Sequence, residues 1–124
     1  MKIRIKGNSI RLRLTKTEVE NFGKDGVFNE ETQMLGGVFR YQLKRSSNFE
    51  NLSAEWIADE YKIVFYMPEK IANEWVESNE VGFQHKMPLA DGNELFLLIE
   101  KDFVCLDNTF EDQSDNYPNP NAVC

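Results

Sequence analysis

Five cations at alternating positions, Lys2, Arg4, Lys6, Arg11 and Arg13, have the clearest capacity for chemistry in this chain. Guanidinium groups present paired donors that match the oxygens of a phosphate, so such a cluster could hold a phosphate-type anion. The element that positions them is legible in MKIRIKGNSIRLRL. Two runs of polar/apolar alternation flank Gly7-Asn8, a two-residue turn in which glycine accepts positive φ. Closing a hairpin there pairs Ile5 with Ile10 and Ile3 with Leu12 on one face. It sets Arg4 opposite Arg11 and Lys2 opposite Arg13 on the other. Like charges directly across a ladder repel, so this face needs carboxylates, an anionic ligand or open water. The simpler expectation is a sheet face laced to Glu94, Glu100 and Asp102 on a neighbouring strand.

An enzymatic version of the anion site is also conceivable. In triphosphate tunnel enzymes, alternating charged residues point into an eight-stranded barrel and hold substrate and metal. Glu60, Lys62, Glu100 and Asp102 could join the hairpin cations in such a tunnel. Those enzymes open on a strand with two glutamates and a lysine at alternate positions, whereas this chain opens KIRIK. The metal-binding glutamates are therefore missing there.

His85, the only histidine, shares a strand face with Val81, Phe83 and Met87, which reads as a partly buried, hydrogen-bonded core residue rather than a general base. Cys105 and Cys124 have no CxxC spacing, and structural zinc normally needs four Cys or His ligands. A free thiol at Cys105 is expected, with a Cys105–Cys124 disulfide only under oxidising conditions. Asp107, Glu111, Asp112 and Asp115 lack the spacing of a calcium-binding loop and read as a solvated acidic segment. No catalytic residue, metal or cofactor is assigned.

The first sixteen residues carry six cations and no acid, while the whole chain has a net charge of −7. An acidic chain is a poor candidate for nucleic acid, because that binding depends on neutralising many phosphates. No apolar run approaches the roughly 20 residues needed to span a bilayer. With two cysteines and no export signal, the expected location is the cytoplasm.

Further along, Thr15-Lys16-Thr17-Glu18 reads as a capping box opening a short helix that ends near Gly23. Strands follow at Val27 to Thr32 and in VFRYQLK after Gly36-Gly37, then at Leu52 to Ile57 and Tyr61 to Met67. Pro68 suits the first position of a second helix, EKIANEWVES, whose Ile71, Ala72, Trp75 and Val76 form one stripe. VGFQHKM and ELFLLIEKDF supply the last strands, joined by a type I′ turn at Asp91-Gly92. The run Leu95 to Ile99 lacks polar alternation and reads as buried on both faces. The expected fold is thus α+β, a mostly antiparallel sheet of about eight strands. It is built from two ββαββ halves with two short helices and is barrel-like if the halves close around a pseudo-twofold axis. Residues 1–106 form the single domain, with an internal duplication of 1–45 and 52–103. Residues 107–124, rich in Asp, Asn and Pro, form a strap that Phe110 and Tyr117 pin to the body.

The opening MKIRIKGNSIRLRLTKTEVE, the later IEKDFVCL and the closing EDQSDNYPNPNA together resemble a small family of uncharacterised bacterial proteins. The resemblance runs nearly the full length and carries over no catalytic residue. It implies a stand-alone cytoplasmic domain. The expectation for function is binding to a protein partner or self-association, with an exposed apolar patch around Trp56, Phe49 or Tyr66. The alternative is a phosphorylated small molecule on the basic face or inside a barrel.

Overall fold

Alternation at the start of the chain produces the hairpin expected of it. In a computed structural model that describes residues 1–103 together with Asp115 and Tyr117, β1 (Lys2–Ile5) pairs antiparallel with β2 (Ser9–Leu14). The register places Ile5 opposite Ile10, Ile3 opposite Leu12, Arg4 opposite Arg11 and Lys2 opposite Arg13. Gly7 takes φ 54°, and Lys6 N–H donates to the Ser9 carbonyl at 3.2 Å to close the turn.

The capping box forms as its spacing requires. Thr15 accepts from the Glu18 amide, and the Glu18 carboxylate accepts from the Thr15 amide at 2.8 Å. Helix α1 (Lys16–Asp25) runs two residues past Gly23, and the left-handed residue that ends it is Gly26 at φ 75°. β3 (Val27–Met34) and β4 (Gly37–Ser46) form the next hairpin, then β5 (Ser53–Ile57) and β6 (Lys62–Pro68), joined through a 3-10 turn at Ala58–Glu60. Helix α2 (Glu69–Glu77) starts one residue after Pro68, which is its N-cap and the last residue of β6. β7 (Gly82–Pro88) and β8 (Glu94–Lys101) complete the fold.

These strands form two four-stranded sheets, ordered β1-β2-β8-β7 and β3-β4-β6-β5. Neither sheet is purely antiparallel: β2 and β8 run parallel, as do β4 and β6. Alternation fixes which face of a strand is buried but says nothing of the direction in which distant hairpins meet. Each helix carries the chain from one sheet to the other, so every sheet joins an early hairpin to a late one. β1 and β7, and likewise β3 and β5, remain as edges. The two sheets do not close into a barrel.

One core fills the space between the inner faces. Ile10, Leu12, Leu14, Leu97 and Ile99 enter it from one sheet, and Leu43, Phe65 and Met67 from the other. Val19 and Phe22 of α1 and Ala72 and Trp75 of α2 cover it, with the Phe22 and Trp75 rings edge to face at 6.2 Å. Burying side chains of this size contributes roughly 1.5–3 kcal/mol each. Leu97 and Ile99 are fully buried, but Phe96 and Leu98, on the other face of β8, are only half buried. The apolar run is therefore a one-sided core strand with a partly shielded outer face. The link between β7 and β8 is a five-residue loop closed by Leu89 N–H on the Asn93 carbonyl, rather than a two-residue turn at Asp91-Gly92. Asp91 accepts from the Asn93 amide, and this Asx turn competes with the tighter hairpin.

Candidate functional site

The cationic ribbon faces outward and has carboxylates set against it. Arg11 and Arg13 project from successive outer positions of β2, beside Leu98 and Glu100 of β8. Glu100 Oε1 accepts from Arg11 Nε at 2.7 Å and from Arg13 Nε at 2.6 Å. Lys2 Nζ lies 3.0 Å from Oδ2 of Asp102, an ion pair rather than an aligned hydrogen bond. Glu94 pairs with no hairpin cation among the described residues; its carbonyl accepts from Asn8 Nδ2 at 2.6 Å. Arg4 and Lys6 have exposed side chains without a described partner. The inner face of the same hairpin carries Ile3, Ile10 and Leu12. The hairpin's own cations therefore do not point inward as a tunnel enzyme would need, and buried Asp102 faces Lys2.

Met1 brings the two sheets together. Its buried amino group pairs with the carboxylates of Glu18 and Glu30, and its carbonyl accepts from the Tyr41 hydroxyl at 3.0 Å. Burial, reinforced by Glu30 and Glu18, raises the Tyr41 phenol above its ordinary value. At its other end β1 brings Ile5 to a hollow shared with Ile63 and Trp56. Within the second sheet, Glu30, Tyr41, Ile63 and Trp56 form one cross-strand row. β1 therefore runs across this sheet along that row, leaving Ile5 and Trp56 at its far end half exposed.

Beyond the row the inner face of the second sheet is uncovered. β4 pairs with β6 only from Arg40 onward, so the end of the β3–β4 hairpin projects as an unsupported two-stranded ribbon. Its tip is Met34-Leu35-Gly36-Gly37, with Leu35 fully exposed. The ribbon from Met34 through Leu35 to Phe39 lines a hollow of about 320 Å³ with Trp56 and Tyr61. A second hollow of about 250 Å³, between Ile5, Ile10, Ala54 and Leu95, shares Trp56 with it. Trp56 is 55% exposed and Tyr61 64%. Tyr61 also holds φ 49°, a left-handed conformation costly for a residue with a Cβ. It is the C-cap of the 3-10 turn, its N–H donating to the Ala58 carbonyl at 3.2 Å. Phe49 and Tyr66 lie elsewhere, stacked on each other with ring centres 4.7 Å apart.

The two described residues after Phe103 sit against the body. Asp115 accepts from the amide and hydroxyl of Thr17, and its carbonyl accepts from Lys16 N–H. Tyr117 N–H donates to the Asp102 carbonyl, and its ring lies 5.3 Å from Lys101 Nζ. Lys101 is itself buried, 5.9 Å from the Trp75 ring centre, and donates to the Ser78 carbonyl at 2.7 Å. Desolvation lowers its amine below the ordinary lysine value, opposed by Glu80. Cys105, Cys124, Phe110, Asp107, Glu111 and Asp112 lie outside the described residues, as does most of the 107–124 segment.

His85 is half buried beside Leu97, on the inner face with Phe83 and Met87. Contrary to the expectation of a hydrogen-bonded core histidine, it makes no hydrogen bond among the described residues, because its strand neighbours on that face are apolar. No group of three His, Cys, Asp or Glu side chains among the described residues could hold a metal ion, and no helix is long and apolar enough to cross a membrane. Sequence reasoning singled out Trp56 but missed Leu35 and Tyr61. The signal was present in Met34-Leu35, two large apolar residues placed directly before a Gly-Gly break where polar residues usually stand.

No curated protein and no solved structure matches the chain. A family model does match, over residues 1–121, and by that span the chain belongs to a family of unknown function, DUF7009.

Proposed function

We propose that this protein acts by docking another protein chain on its apolar end. The observation that carries this reading is the projecting β3–β4 ribbon with Leu35 fully exposed at its tip, beside half-exposed Trp56 and a left-handed Tyr61. Large apolar side chains scattered singly over a surface need no explanation, but a contiguous cluster around two hollows marks an interaction site. The topology supports a related reading, that 1–45 and 52–103 are two copies of a ββαββ unit. Exchanging the halves turns the sheet order β1-β2-β8-β7 into β5-β6-β4-β3, which is the order of the other sheet.

Under that exchange the β3–β4 ribbon corresponds to the β7–β8 ribbon. There the tip is Ala90-Asp91-Gly92-Asn93, polar and tied by its own Asx turn. The β7–β8 loop exposes one large apolar residue, Leu89, whereas the β3–β4 tip sets Met34 and Leu35 in solvent beside Trp56 and Tyr61, which favours β3–β4 as the docking surface.

The alternative, a phosphate-type anion on Lys2, Arg4, Lys6, Arg11 and Arg13, rests mainly on Arg4 and Lys6. Glu100 and Asp102 occupy the other three.

A photo-crosslinking side chain placed at position 35, and at exposed position 70 on α2 as control, tests docking in the native host. The reading predicts a discrete protein adduct from position 35 and none from position 70. Equal labelling, or no adduct at either position, would overturn it.

A further inference from the structure

Taking that docking reading as its base, we infer that the docked chain is an extended segment of another protein, alternating apolar and acidic residues, that adds to the free edge of β1 as a new strand. β1 pairs only with β2, so no strand lies beside its other edge. Lys6 N–H donates to the Ser9 carbonyl, which sets the phase of the ladder. Bonded and non-bonded pairs alternate in an antiparallel ladder, so Lys2 and Arg4 bond to β2 while the N–H and C=O groups of Ile3 and Ile5 point away from it. The Met1 carbonyl has the same phase and accepts from the Tyr41 hydroxyl of the second sheet. The corresponding groups of Ile3 and Ile5 have no partner among the described residues.

This open edge borders the uncovered end of the second sheet. β2, on the other side of β1, sends Ile10 and Leu12 into the core with Leu43 and Phe65, which form the row on the side away from the ribbon tip. β1 itself follows the row of Tyr41 and Ile63, and the next inner row toward the tip holds Phe39 and Tyr61. Such rows are about 7 Å apart and neighbouring strands about 5 Å. A strand added to β1 therefore lies over Phe39 and Tyr61. Its inward side chains enter the hollow that Leu35, Phe39, Trp56 and Tyr61 line, and they cover half-exposed Ile5.

The chemistry of the edge selects the occupant. Outward N–H and C=O groups at strand spacing are matched by another extended backbone, which neither a lipid surface nor a phosphate-type anion supplies. On the outer face the added strand sets alternate side chains beside Arg4, with Lys6 in the adjoining turn. Both cations are exposed and without a described partner, and Arg11 on the other side of Arg4 is already held by Glu100. Carboxylates at those positions make favourable cross-strand pairs, and cations make unfavourable ones. A second copy adding its own β1 would set Lys2 and Arg4 against like charges. The cations that admit an acidic segment thus keep copies of this edge apart.

The test is a nuclear magnetic resonance titration of the isotope-labelled full chain with a short synthetic peptide that alternates valine and glutamate. The Ile3 and Ile5 amides should shift and exchange about tenfold more slowly, and the Trp56 indole resonance should move with them. The same peptide with lysine for glutamate should bind about tenfold more weakly, and Arg4→Glu should reverse that preference. Ile5→Pro removes one outward N–H at an edge position where proline is tolerated, so it should abolish binding with little change in melting temperature. Equal binding of the two peptides, binding that leaves the Ile3 and Ile5 amides unprotected, or no binding would overturn strand addition. With a position-35 adduct to another protein, that outcome leaves docking intact and changes only how the partner is held. Self-association of the wild type, lost in Leu35→Glu, would overturn it in favour of a second copy. Binding to neutral phosphatidylcholine vesicles, lost in the same variant, would overturn it in favour of a lipid surface.

Discussion

Arg45 and Lys101 stand at corresponding places in the two sheets, each beside the end of a helix. Arg45 pairs with Met67 across the parallel β4–β6 ladder, and Lys101 with Leu14 across β8–β2. The Arg45 guanidinium donates to the Gly23 carbonyl in the last turn of α1 at 3.3 Å. The Lys101 ammonium donates to Ser78, the C-cap of α2, at 2.7 Å. A cation at a helix C-terminus satisfies carbonyls left without intrahelical partners and opposes the negative end of the dipole. The difference is burial. Arg45 also reaches Asn73 at an exposed contact, whereas Lys101 is enclosed between Trp75 and Tyr117.

Lys101→Met should therefore cost about 1 kcal/mol near neutral pH in denaturant melts, because the lost hydrogen bond is partly offset by removing a desolvated charge. The pH dependence separates the two effects. The folded amine loses its proton at lower pH than the unfolded one, so wild-type stability climbs from the lowered folded value toward 10.5. The methionine variant should lack this climb. A parallel pH profile in both proteins would show that the amine is not desolvated.

Tyr117 gives the opposite slope in a higher window. Burial raises its phenol to about 12, with Glu20 and Asp115 adding to the shift. A group whose folded value is raised contributes fully below the unfolded value of 10.0 and loses that contribution as pH rises through about 12. Ultraviolet titration should show one tyrosine ionising last, and Tyr117→Phe should remove that step. Loss of an earlier step instead would place the residue in solvent.

Gly82 and Gly37 make a matched test of packing. A Cβ on Gly82 would stand 2.1 Å from the Ile99 carbonyl oxygen, so alanine there must force β7 away from β8. A Cβ on Gly37 meets nothing within 4 Å, and its φ is ordinary. Gly82→Ala should lose about 1–3 kcal/mol, as for other overpacked sites. Gly37→Ala should be neutral or gain up to about 1 kcal/mol through the unfolded state. Equal effects would mean that the β7–β8 spacing is not set by this contact.

How much was legible follows from what local rules encode. The hairpin register, the capping box and the apolar stripe of α2 are short-range consequences of side-chain type, and each forms as read. The parallel β2–β8 and β4–β6 pairings are not local. Nothing in SIRLRL specifies that ELFLLIEK will lie beside it in the same direction. The cationic ribbon was visible because like charges across a ladder are visible in a register. Its pairing with Glu100 depended on which strand came next to β2. Leu35 escaped notice because hydrophobicity read along a strand suggests burial, and only the length of β4 relative to β6 shows that the tip has no cover.

That shared carboxylate supplies the test of the anion alternative. Glu100 takes donors from both Arg11 and Arg13 while itself only slightly exposed. Glu100→Gln keeps the shape but replaces a charged acceptor with a neutral one. The variant should lose about 1 kcal/mol or more, since hydrogen bonds to charged groups are worth about 1.5–3 kcal/mol and a neutral amide retains part of that. Losing the carboxylate also releases two guanidinium groups beside Arg4. Inorganic triphosphate should then raise the melting temperature of the variant more than that of the wild type, by the linkage between ligand binding and folding. A wild type stabilised by triphosphate as strongly as the variant would show that Glu100 does not occupy the arginines. The phosphate-type reading of the ribbon would then stand in place of docking.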